Sequence, residues 1–183
     1  DGSNAKDFDD AVYAEESSDG YLLYVAIADV SEYVLQDSSL DKEALSRATS
    51  VYFEKKVIPM LPELISNKLC SLRPNEDKLV LTCEIYLDGE GEIKSYEFFN
   101  SVICSKNRLT YDEVEKFYQK GQTALSDDIV SNLNALKKIH ALRRKIREER
   151  KAIDFYLPEY RPVGKENKII KFKSINHLSA NEV

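Results

Sequence analysis

The chain has 183 residues, 43% hydrophobic and 32% charged, with a net charge of −6. That length suits one domain of about 100–200 residues with its own core, and the apolar share excludes a natively disordered chain. The longest apolar run, Tyr21 to Ala28, is far too short to cross a bilayer, and no charged-then-apolar leader opens the sequence, so neither membrane insertion nor secretion is expected.

In chain order, the first third reads as strands. Ala11 to Ala14 follows an acidic start, Ser17-Ser18-Asp19-Gly20 is a turn, and Tyr21 to Ala28 is apolar on both faces, which predicts a central strand paired to the first as a hairpin. Ser38 to Ala48 reads as a helix with Leu40, Ala44 and Leu45 at helical spacing. Val57 to Pro62 is expected to be irregular, because Pro59 and Pro62 interrupt any ladder or helix. Leu79 to Leu87 and Ile93 to Ser101 alternate around Asp88-Gly89-Glu90-Gly91, a second hairpin. Thr110 with Glu113 forms a capping box, and Gly121 stops that helix. A longer helix is predicted from Asp127 to Lys151, with Ile129, Val130, Leu133, Leu136, Ile139, Leu142 and Ile146 as its apolar stripe. Beyond Asp154 the tail is interrupted by proline and then strand-like over Lys168 to Phe172. Hairpins mixed with helices outside βαβ order predict an α+β fold, a mostly antiparallel curled sheet with helices packed around it.

Charge is unevenly spread. Through residue 33 the only base is Lys6, against Asp1, Asp7, Asp9, Asp10, Glu15, Glu16, Asp19, Asp29 and Glu32. From Lys137 to Lys173 bases dominate, so one pole could hold cations and the other phosphates. A solvated charged face is the plainer reading of any one of these residues. Three cysteines without a CxxC pair, and two histidines, argue against a disulfide framework or a structural zinc site and for a reducing, cytoplasmic compartment.

The opening segment, Asp1-Gly2-Ser3-Asn4-Ala5-Lys6-Asp7-Phe8-Asp9-Asp10, is the most informative. Four carboxylates in ten residues repel one another unless a cation sits among them. Mg²⁺ takes hard oxygen ligands, a few carboxylates plus water and substrate phosphate, and phosphodiester hydrolysis needs that arrangement to activate water and neutralise the leaving oxygen. In an extended segment Asp7 and Asp9 share a face, Asp10 needs a bend to join them, and Asp1 must come from a neighbouring piece of chain. An EF-hand is excluded, since the sixth position lacks Gly and the twelfth lacks Glu.

Asp1-Gly2-x-x-Ala5-Lys6-Asp7-Phe8-Asp9-Asp10-Ala11 resembles the signature that opens the catalytic RNB domain of the ribonuclease II/ribonuclease R family. Val25-Ala26-Ile27-Ala28-Asp29-Val30-Ser31 with Tyr33-Val34, Thr49-Ser50-Val51-Tyr52-Phe53, Ile58-Pro59-Met60-Leu61-Pro62, Leu64-x-Ser66-Asn67-x-Leu69-Cys70-Ser71-Leu72 and Arg108-Leu109-Thr110-Tyr111 continue it in family order. Ala152-Ile153-Asp154-Phe155 and His177-Leu178 also agree, and Ser50-Val51-Tyr52-Phe53 favours the ribonuclease R branch.

The resemblance implies residues 1–183 are the N-terminal part of an RNB catalytic domain, without the flanking cold-shock and S1 modules. It further implies Mg²⁺-dependent 3′→5′ exoribonuclease chemistry on single-stranded RNA, with Mn²⁺ a possible substitute, releasing nucleoside 5′-monophosphates in RNA degradation. Asp1, Asp7 and Asp10 fall on the metal-site positions, with Asp7 completing the site, and Asp9 on the carboxylate tied to cleavage. Tyr52 and Phe155 fall on the aromatic positions at the 3′ end of the RNA. Aromatic faces hold bases without sequence preference at about 1–3 kcal/mol each, although a ring in a core is the commoner case. Two other readings compete: an RNB-like module that binds RNA or a partner without cleaving, and a structural or Ca²⁺-binding protein whose acidic pole is merely solvated.

Overall fold

The alternating residues on either side of the polar turn at 17–19 pair as an antiparallel hairpin, β1 (Asp10–Glu16) with β2 (Gly20–Ala28), in the computed structural model of the chain. Residues 5–53, 56–121, 124–153, 157–158, 160–165 and 168–174 are described. Helix α1 (Ser39–Arg47) follows, then the two-residue strands β3 (Val51–Tyr52) and β4 (Val57–Ile58), a π-helical turn Ile65–Leu69, β5 (Asp77–Asp88) and β6 (Ile93–Cys104). Helices α2 (Tyr111–Lys120) and α3 (Asp127–Glu149) and the ribbon β7 (Tyr160–Lys165) with β8 (Lys168–Ser174) complete the order.

The main sheet is antiparallel and open, in the order β1-β2-β5-β6. β2 is an inner strand, as its two-faced apolarity predicts. The fold is thus α+β with an antiparallel sheet, as expected. Register sorts the side chains into two faces. The rows Ala14–Leu23–Ile85 and Val12–Val25–Cys83–Phe98 lie on one, and Ala11–Ala26–Thr82–Phe99 and Ala28–Val80–Ser101 on the other. Burial changes face partway along β5: Lys78, Val80 and Thr82 are buried, then Leu87.

Two separate cores explain that change. One joins Ala14 and Leu87 to Phe117 of α2 and Leu133, Ala135, Leu136 and Ile139 of α3. The other joins Ala26, Ala28 and Val80 to Ile65, Cys70 and Leu72, with Phe8, Leu40 and Leu61 against it. Val12, Ile27, Leu81, Phe98 and Val102, all on the first face, remain exposed.

Helix ends follow local chemistry. Ser38 caps α1 by accepting the Asp41 N–H at 3.2 Å. Thr110 and Glu113 form the expected box, the Glu113 carboxylate accepting the Thr110 N–H at 2.8 Å and its hydroxyl at 2.6 Å. Gly121 ends α2 at φ +65°, in the left-handed region glycine enters without strain. Gly91 has φ +84° and sits so close to Leu142 that a Cβ would lie 2.6 Å from that side chain, which seats the β5–β6 turn on α3.

Several expectations need adjusting. Leu45 points to solvent, 80% exposed, leaving Ala44 as the buried residue of α1. Val57 and Ile58 do form a short strand before Pro59 ends it. α3 stops at Glu149, where Arg150 and Lys151 leave the helix, the latter at φ 57°. β7 was hidden by Pro162, which a two-stranded ribbon tolerates because a strand with one free side can lack an N–H donor. Many bases of α3 are engaged within the chain, Lys138 with Glu16 at 2.6 Å and Arg143 with the Gly91 carbonyl at 3.0 Å.

Candidate active site

Residues 6–9 run into β1 as chain without regular structure, and their path is fixed by distant partners. Ser71, fully buried, straddles Asp7: its hydroxyl accepts the Phe8 N–H at 3.2 Å and donates to the Lys6 carbonyl at 2.7 Å. The Leu72 N–H donates to the Phe8 carbonyl at 2.8 Å, and the Ala28 N–H to the Asp9 carbonyl at 2.9 Å. The signature thus lies between the 71–72 segment and the end of β2. Backbone groups that lack a regular ladder must find such partners when shielded from water.

Asp7 and Asp9 line one cavity of about 440 Å³ with Ser50, Tyr52, Ser66 and Cys70. The Tyr52 phenol donates to Asp7 Oδ2 at 3.0 Å, and that bond is the first cause that holds the phenol above its ordinary pKa. Asp9 is open to solvent, yet partial loss of hydration, then the charges of Asp7 and Asp10, raise its carboxyl above the usual range. Cys70, buried beneath, has its thiol pushed up by burial first and by Asp9 second. A thiol so placed is a core group rather than a nucleophile.

Asp10 is the first residue of β1, opposite Ile27, and contributes to a different, larger cavity of about 850 Å³ with Phe8, Tyr24, Thr82 and Arg108. There the Arg108 guanidinium stands 5.3 Å from the centre of the Phe8 ring. The structure thus brings Asp7, Asp9 and Tyr52 together and leaves Asp10 close enough to Asp9 to act on its charge, but outside their cavity. Asp1 and Phe155 lie outside the described residues. Among the described residues no three His, Cys, Asp or Glu side chains are grouped to hold one ion. The donor set suits a hard divalent cation in kind: carboxylate oxygens whose mutual repulsion already raises Asp9.

Sequence reasoning singled out neither Ser50 nor Ser71 as a site residue. The available signal was Ser71 itself, a polar residue between Cys70 and Leu72 in an apolar stretch, which must satisfy its hydroxyl internally when buried. Nothing in the local sequence tells that its partners lie 63 and 65 residues away. No helix among the described residues is long and apolar enough to cross a membrane.

Comparison with known proteins bears on the family and the fold. The family model of the RNB domain matches residues 1–183. Ribonuclease R of Acidithiobacillus ferrooxidans is 47% identical over 157 residues, covering 85% of this chain and 36% of that protein. Ribonuclease R of Escherichia coli is 46% identical over 158 residues, covering 85% of this chain and 19% of that protein. The chain thus spans about a fifth to a third of the length of these relatives. The solved Mycoplasma genitalium ribonuclease R in complex with ribose-methylated single-stranded RNA superposes with a TM-score of 0.95 at 36% identity, covering all of this chain and 29% of that one. With the signature, the fold and the matched length in agreement, the chain belongs to the RNB domain family.

Proposed function

We propose that the chain is the N-terminal part of the catalytic domain of a cytoplasmic 3′→5′ exoribonuclease that hydrolyses single-stranded RNA to nucleoside 5′-monophosphates with Mg²⁺, or Mn²⁺ in its place. The observation that carries this reading is the cavity in which Asp7, Asp9 and the Tyr52 phenol meet. Asp1, Asp7 and Asp10 are the residues that would hold the metal. When bound, the metal would supply charge neutralisation at the scissile phosphate and a more acidic water.

The chain's own contributions follow from its geometry. Asp7 is held from below by Ser71 and from the side by Tyr52, so its carboxylate is oriented before any ligand arrives, which lowers the reorganisation needed at reaction. Asp9, with its carboxyl raised by partial burial and its acidic neighbours, is proposed as the carboxylate of the cleavage step, suited to orient or accept a proton from water. Tyr52 is 65% exposed, and such an exposed ring beside carboxylates can hold a terminal base. Phe155 is proposed as its partner at the 3′ end. Cold-shock and S1 modules elsewhere in a longer protein would add phosphate contacts.

The test is Asp9→Asn in the longest natural polypeptide that contains this sequence. Mononucleotide release from 3′-labelled RNA should fall by at least about a thousandfold, while RNA affinity stays the same or tightens slightly as a negative charge near the phosphates is lost. Equal loss of affinity and turnover would remove Asp9 from the chemistry. RNA binding without cleavage by the unsubstituted protein, with Mg²⁺ or Mn²⁺ present, would favour a binding module.

A further inference from the structure

We infer that the Tyr52 hydroxyl is a positioning group for the Asp7 carboxylate, a job separate from anything its ring does for RNA. The inference rests on the reading that Asp7 helps to hold a cation. The phenol reaches Asp7 Oδ2 at 3.0 Å from 45 residues away in sequence. Since the ring is largely exposed, packing alone does not hold it there.

The strand that carries Tyr52 is anchored for this purpose. β3 pairs with β4 through Val51–Ile58 and Tyr52–Val57. The Ser50 hydroxyl accepts the Met60 N–H at 2.9 Å, and the Arg47 guanidinium donates to the Pro59 carbonyl at 3.0 Å. These bonds tie both strands of a two-residue ribbon to α1 and to the chain after β4. Such a ribbon is too short to be rigid through its own ladder.

The consequence falls on the two oxygens of Asp7. Oδ2 is occupied by a neutral donor of defined direction, while among the described residues Oδ1 receives only a long 3.4 Å contact from the Lys6 N–H. A carboxylate with one oxygen fixed cannot rotate freely, so Oδ1 is the oxygen presented to a further partner. Hydrogen-bonding groups behind a ligand carboxylate typically change metal affinity by about 10–100-fold when removed. Tyr52→Phe deletes the hydroxyl and keeps the ring, whereas Tyr52→Ala deletes both.

The experiment measures Mn²⁺ affinity by electron paramagnetic resonance without RNA, then kcat, KM and end-product length, in the longest natural polypeptide that contains the sequence. Tyr52→Phe should bind Mn²⁺ about tenfold more weakly and lower kcat, with KM for RNA, end-product length and melting midpoint unchanged. Tyr52→Ala should show the same weakening and also leave longer end products. Equal or tighter Mn²⁺ binding by Tyr52→Phe overturns the inference while the functional reading stands. So does a lowered melting midpoint with unchanged Mn²⁺ affinity, which makes Tyr52 a structural residue. Absence of Mn²⁺ binding in the unsubstituted protein overturns the functional reading and this inference with it.

Discussion

The two cores of the molecule are built by different means. Around Ala14, Leu87 and Leu136 the work is done by regular helices packed on strands, α2 among them held by a capping box, and the contacts are apolar. Around Ala26, Val80 and Cys70 the packing on the strands comes from a π-helical turn, Leu40 of α1 and irregular chain, stitched by single hydrogen bonds from distant residues. Even buried Lys78 serves this stitching, its ammonium reaching the Lys68 carbonyl at 2.6 Å and Glu76 at 2.8 Å. Asp7 and Asp9 sit on the stitched side. A site there depends on a few directional bonds, while the helical side supplies stability that tolerates approximate packing.

The strongest way to break this contrast is Leu87→Ala in the helical core. Removing a buried leucine there should cost about 2–5 kcal/mol in urea unfolding and yet leave Mn²⁺ affinity unchanged at temperatures where the protein stays folded. Ser71→Ala should cost less, about 1–3 kcal/mol, because the Phe8 N–H and Lys6 carbonyl lose their shared partner. It should nonetheless weaken Mn²⁺ binding where the larger lesion does not. If both variants weaken Mn²⁺ binding in proportion to their loss of stability, the two sides are one unit and the contrast fails.

The smallest effect sharpens the helical side through pH. Two hydrogen bonds from Thr110 hold the Glu113 carboxyl below its ordinary value. A depressed pKa means that its stabilisation is complete above the ordinary carboxylate range and is lost as pH falls through the folded value. Glu113→Ala should therefore lower stability by about 0.5 kcal/mol at neutral pH, a modest figure because the pair is exposed. The difference should vanish in acid, where both proteins lack the charge. Melting of the two proteins across an acid-to-neutral series checks this, and a constant difference at every pH would show that the carboxylate charge is not its source.

The same contrast explains what was legible in the sequence. Both hairpins, the Thr110 capping box, the Gly121 stop and most of the α3 stripe were readable, because each is written in residues a few positions apart. Leu45 misled because spacing marks a helical face without saying how wide the covered stripe is. The pairing of Asp7 with Asp9 followed from alternation in extended chain, whereas Asp10, expected to join them through a bend, instead opens β1 and lines the larger cavity. What holds Asp7 was not readable. Ser71 and Tyr52 are 64 and 45 residues from it, and nothing local connects a buried serine or an exposed tyrosine to one carboxylate.

The pairing of β2 with β5 carries a kinetic consequence. It closes a loop over residues 29–76, and Tyr52 and Ser71 both lie inside that loop. Closing it costs about 3 kcal/mol of chain entropy, by the three-halves-power dependence on loop length. The β1–β2 hairpin beside the carboxylates needs no such closure. Asp10, which opens β1, can therefore stand on a formed hairpin before Ser71 and Tyr52 arrive, whereas Asp7 is aligned only once the loop has closed.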